Sequence, residues 1–202
     1  MRSHHNSILI AFLLCSMILL ACGGGQKGGP VEAVTLRSES AVLTAEDIMQ
    51  AVKDQGFHCP GENLKGSFRN SFEQATFMDV SVVIDHATGL MWQQSVSKER
   101  LDWREVETYV QQANETELAG FTDWRIPTVE ELLSLMTPKV KDAFFIDPVF
   151  HEEILAPWTI DTVPEAFAGA WFVDFTEGKA VDGNRAAGLG HVRLVRTVSQ
   201  TE

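Results

Sequence analysis

Asp123-Trp124-Arg125-Ile126-Pro127-Thr128-Val129-Glu130-Glu131-Leu132-Leu133-Ser134-Leu135-Met136 writes a helix start and a core face into one short run. Thr128 is a side-chain acceptor for the backbone N–H three residues on. Glu131 stands where its carboxylate can return the bond, so the pair reads as a capping box. Pro127 precedes the cap, Leu132, Leu133, Leu135 and Met136 supply the apolar face, and Pro138 predicts the stop. Arg125 lies just ahead of a helix that carries Glu130 and Glu131. It is expected to bridge the helix start to a sheet as a satisfied ion pair, with Asp123 capping or holding it in turn. Trp124 reads as core.

Outward from this run the same grammar repeats. Thr44 and Asp47 have capping-box spacing ahead of Ile48, Met49 and Val52, and Gly56 is a natural stop. Asp102 and Glu105 open a second helix whose stripe is Trp103, Val106, Val110 and Ala113. Val80 to Asp85 reads as a strand, Thr88-Gly89 as a turn with glycine at positive φ, and Leu90-Met91-Trp92 as the returning strand. Residues 140–170 look irregular. The close reads as a hairpin of Ala170–Phe175 with His191–Val198, in which Arg193 and Arg196 lie on opposite faces, so that one joins a buried pair and the other meets solvent.

The 202 residues are 45% apolar with 12 Phe and 5 Trp, which excludes a chain disordered throughout. A net charge of −12 and a pI near 4.9 exclude a general nucleic-acid binder. Arg2 and the apolar run Ile8–Leu20 have the form of a secretory signal, because about 20 Å of helix is too short for a bilayer core of about 30 Å. The run ends in Leu19-Leu20-Ala21-Cys22 before three glycines, which looks like a bacterial lipobox. The expected organisation is a lipoprotein signal peptide at 1–21 and a lipidated Cys22 with a flexible tether over 22–43. A helical leader and loop at 44–71 and a main domain at 72–198 complete it. Two or three acyl chains at about 0.8 kcal/mol per methylene hold such a protein on the membrane. Gly23, not aspartate, follows the cysteine, so the outer membrane is the expected address. Cys59 is then the lone cysteine of the mature chain, read as a packed or exposed thiol, an intermolecular disulfide or a metal ligand beside His58.

Thr88-Gly89-Leu90-Met91-Trp92, Trp103, Asp123–Thr128 with Glu131, Ile146-Asp147-Pro148, Trp158-Thr159, Trp171–Phe175 and Val192–Arg196 follow one another in an order that resembles the Lcl C-terminal domain family. The resemblance covers roughly residues 72–198. It implies an α+β, C-type-lectin-like fold of small antiparallel sheets, two main helices and a long irregular loop region, carried by surface proteins. The family's named member is an adhesin that binds sulfated glycans. The net acidity here argues against carrying that ligand over. Gly89, Trp92, Trp103, Asp123, Trp124, Arg125, Thr128, Glu131, Trp171, Arg193 and Arg196 are read as structural residues of the motif.

Chemistry is sparse. No nucleophile elbow is present, His151-Glu152-Glu153 is not a zinc-protease motif, and a single mature cysteine cannot form the copper-holding pair of formylglycine-generating oxidases, which share that fold. The expectation is a non-enzyme without a cofactor. Asp182-Gly183-Asn184 resembles part of a calcium loop that Asp174 could join, although a tight turn explains it equally well. Trp158, beside Asp161 and Glu165, is the candidate ligand platform, with a core tryptophan as the competing reading. Two function classes follow: a lectin-like module for a glycan or protein, and an assembly lipoprotein for another envelope protein. A concave polar pocket favours the first, an exposed apolar patch over the 144–172 loops the second.

Overall fold

The computed structural model describes residues 33–139, 144–150, 156–164 and 168–198, which fall in one compact unit. The lipobox, Cys22 and Glu165 lie outside the described residues. Each capping box forms. Thr44 caps α1 (Ala45–Gln55), which Gly56 ends at φ +70°. Asp102 caps α2 (Trp103–Glu115) through the N–H groups of Arg104 and Glu105, and Thr128 caps α3 (Val129–Ser134). A single 3₁₀ turn follows α2 at Leu118–Gly120.

Two antiparallel sheets complete an α+β fold. Strands β1 (Phe72–Phe77), β2 (Val80–Asp85), β3 (Leu90–Gln93) and β7 (Val195–Thr197) lie in the order β1-β2-β3-β7. Strands β4 (Trp158–Thr162), β5 (Gly169–Asp174) and β6 (Lys179–Asn184) make the second sheet. The β1–β2 turn runs through Met78 and Asp79, both at positive φ, and the β2–β3 turn places Gly89 at φ +68°.

The expected C-terminal hairpin is not formed. β5 pairs with β6, from Asp174 with Lys179 to Gly169 with Asn184. The final strand instead crosses to β3, where Trp92 faces Val195. Asp174 directs the nearer pairing, since its Oδ1 accepts from the N–H groups of Thr176 and Glu177 and tightens the turn. The stretch read as irregular also contains β4.

Period-2 alternation divides the apolar residues between two cores. Leu90, Trp92, Val83, Val195, Trp171 and Val173 join Ile48, Val52 and the α3 leucines in one core. Met91, Val82, Leu194 and Ala170 join Val106, Trp124 and Trp158 in the other. Strands β3 and β5 therefore have apolar cover on both faces. The leader helix α1 contributes to the first core and packs on α3, so it is part of the domain.

The expected tether is likewise structured over its second half. Leu36 and Leu43 pack on the first core, and the N–H groups of Val34 and Leu43 donate to Ala87 and Thr162. Sequence reading missed this because the segment has no period. Its anchor is a long-range ion pair that no local pattern announces. Among the described residues no helix is long and apolar enough to cross a membrane.

Candidate functional site

The run that opens α3 builds a polar hub. Arg125 donates from both Nη atoms to Glu131, at 2.7 and 2.6 Å, and its backbone pairs with Val195 of β7, so the ion pair joins helix to sheet as expected. Glu131 is buried and also accepts from the Thr128 N–H at 2.9 Å. Asp123 does not hold Arg125. Its carboxylate instead receives Nε of Arg196 at 2.6 Å, because the β7 guanidinium turns back over Phe121.

Asp161, a ligand candidate by sequence, has no exposed surface. Its carboxylate accepts from Arg37 (2.8 and 3.0 Å), from the Ala41 N–H (2.8 Å) and from the Val129 N–H at the start of α3 (2.7 Å). Arg37 also reaches Glu130 at 3.2 Å. Burial lowers the Arg37 pKa, but Asp161 and Glu130 outweigh it and hold the guanidinium above its usual value. Asp161 thus locks residues 33–43 to α3, and its oxygens are turned inward.

Trp158 is corrected in the same way. It is fully buried, its Nε1 donates to the Leu101 carbonyl at 3.1 Å, and Trp103 meets it edge-on. Its partner in β5 is Phe172, with ring centroids 4.0 Å apart. Phe172 is only half-buried and borders a surface depression of about 290 Å³. Val181 and Leu189 add apolar wall, and Arg100 and Asp174 add charge. Arg100 is fixed by donating to the Leu189 carbonyl. Two glycines let the ring lie flat: a Cβ on Gly183 would stand 2.2 Å from Phe172, and one on Gly190 2.9 Å from both Phe172 and Trp158.

Asp174, Asp182 and Asn184, the calcium candidates, all border this depression. Strand register divides them, however. Asp174 shares a face with Phe172, whereas Asp182 stands opposite Trp171 and Asn184 opposite Gly169, on the other face. One oxygen of Asp174 and that of Asn184 are also turned to backbone N–H groups. No three His, Cys, Asp or Glu side chains gather into a metal-binding group among the described residues.

The remaining motif residues take structural places. Trp92, Trp124 and Trp171 are buried and Trp103 is half-buried. Cys59 is buried, with Sγ donating to the Gly178 carbonyl at 3.4 Å, and burial pushes its thiol pKa up. Arg193 and Arg196 are both buried, so the expectation that one meets solvent fails. Sequence reading missed Phe172 and Arg100. The Phe172 signal was its place opposite Trp158, visible only once the β4–β5 register is known.

A model of the Lcl C-terminal domain family matches residues 81–196, more than half of the chain. No curated protein and no solved structure matches it. The match spans the strand pair β2–β3, the α3 hub, the β5–β6 depression and the returning β7. The chain therefore belongs to the Lcl C-terminal domain family.

Proposed function

We propose that this protein is a bacterial outer-membrane lipoprotein, anchored through Cys22, whose C-type-lectin-like domain binds a saccharide over the Phe172 face without catalysing a reaction. The observation that carries the reading is a half-exposed aromatic ring, held flat between glycines, in a depression with Arg100 and Asp174 beside it. An apolar ring face with a few placed polar groups is the usual composition of a small-ligand site. Uncharged sugars suit it better than sulfated ones, given the net charge of −12. No cofactor enters this reading.

The alternative, an assembly lipoprotein docking on another envelope protein, finds less support. Among the described residues the exposed large hydrophobics are Val34, Val42, Leu64, Met78 and Leu189, none of them within 144–172. The test is a glycan array with the full chain in detergent, run beside Phe172→Ala and Arg100→Ala. Saccharide signal that falls at least tenfold in Phe172→Ala supports the reading. A blank array, together with specific capture of one envelope protein, would replace it with the assembly role.

A further inference from the structure

Arg193 is a buried charge that the proposed binding face does not use. Its side chain has no exposed surface. Nη1 donates to the carbonyls of Gln93 and Gln94, the second at 2.7 Å, and the guanidinium lies over the Phe150 ring at 4.6 Å. The opposite edge, formed by Nε and Nη2, is the fork that takes an anion with two parallel bonds. Both of these atoms are buried and meet no acceptor among the described residues.

Trp92 Nε1 is a third buried donor without an acceptor among the described residues. Trp92 faces Val195 across the β3–β7 pair, and Arg193 lies two residues from Val195. Alternation therefore brings Trp92 and Arg193 to the same side, toward the core that holds Phe150. Burial pushes Arg193 down to about 9, and among the described residues the titratable group whose field reaches it is Tyr109 rather than a carboxylate. A buried ion without a counter-charge costs several kcal/mol, so this arrangement calls for an anion.

We propose that the Nε–Nη2 edge of Arg193, with Trp92 Nε1 on the same side, holds one small monovalent anion, chloride, inside the domain. The donors on offer are few and wholly buried, which suits a small ion. A charge of −1 balances the guanidinium, and two or three N–H donors satisfy it.

Two measurements on the wild-type full chain in detergent test this directly. Crystals grown with bromide in place of chloride should give an anomalous peak within hydrogen-bond distance of Arg193 Nε. Raising chloride at constant ionic strength, with gluconate as the balancing anion, should raise Tm by roughly 5 °C. Arg193→Met should abolish that dependence while leaving saccharide binding in place. Should Arg193→Met not fold, the two wild-type measurements still decide. A map with ordered water or one of the chain's own carboxylates on the fork, or a Tm indifferent to chloride, overturns the proposal.

Discussion

Trp158 and Phe172 are paired residues on neighbouring strands whose rings touch, yet they serve opposite ends of the molecule's business. Trp158 is wholly enclosed, with its N–H bonded to Leu101 and Trp103 edge-on against it. Phe172 covers it from outside and leaves part of its own ring to solvent. The carboxylates beside them divide in parallel. Asp161 is surrounded by four donors from three residues, whereas Asp174 shares a face of β5 with Phe172 and uses one oxygen on its turn. Residue chemistry alone therefore nominated the buried Trp158 and Asp161 as the ligand platform and assigned Asp174 to calcium instead. Register sets Trp158 and Phe172 on one face, so what separates the core anchor from the proposed ligand platform is depth: Trp103 and Leu101 close over Trp158 and leave Phe172 half-exposed.

Substitutions in the buried pair should be the most damaging. Trp158→Ala removes a fully enclosed ring and should cost about 3–5 kcal/mol in denaturant unfolding. Asp161→Ala strands Arg37 and frees the α3 start, for a similar loss of about 3–5 kcal/mol. It should also open residues 33–43 to protease. If Asp161→Ala keeps wild-type stability and protease resistance, the lock on that segment is not formed in solution. Gly183→Ala sharpens the comparison, because its Cβ would stand 2.2 Å from the Phe172 ring. Overpacking of this kind should cost about 1–3 kcal/mol, and saccharide binding should fall as the ring tilts. Phe172→Ala, at a half-exposed position, should cost about 1–2 kcal/mol while removing binding.

The smallest effect belongs to His58. Burial pushes its imidazole below its usual value, and Nε2 meets no partner among the described residues. The unfolded chain takes up a proton near the ordinary pKa of about 6.5, before the folded chain does. Stability from this group is therefore held above that pH and lost as pH falls through it. His58→Gln should flatten the decline in Tm between pH 7 and pH 5; an unchanged slope would place the dependence elsewhere.

The three capping boxes were readable because each is local. The acceptor, the N–H and the returning carboxylate stand within four residues of one another. The β2–β3 pair was readable for the same reason, through Gly89 at its turn. Arg125 was expected to pair at the start of the helix that carries Glu130 and Glu131, and it takes Glu131, six residues away. Asp123 was not, because its partner Arg196 is 73 residues distant. Arg37 and Asp161, separated by 124 residues, left no trace in the sequence and turned an expected tether into a packed strap. The C-terminal hairpin failed through competition. β6 has little apolar content, yet the tight Asp174 turn joins it to β5, and β7 completes the other sheet at β3.

The most direct measurement is a crystal structure of the full chain with the saccharide of highest array signal. The expected result is a sugar ring stacked on the exposed face of Phe172, hydrogen-bonded to Arg100 or Asp174, with Trp158 and Asp161 unmoved beneath it. A sugar bound elsewhere with the Phe172 face bare, or one that reaches Trp158 by displacing the ring, would contradict the division between core anchor and ligand platform.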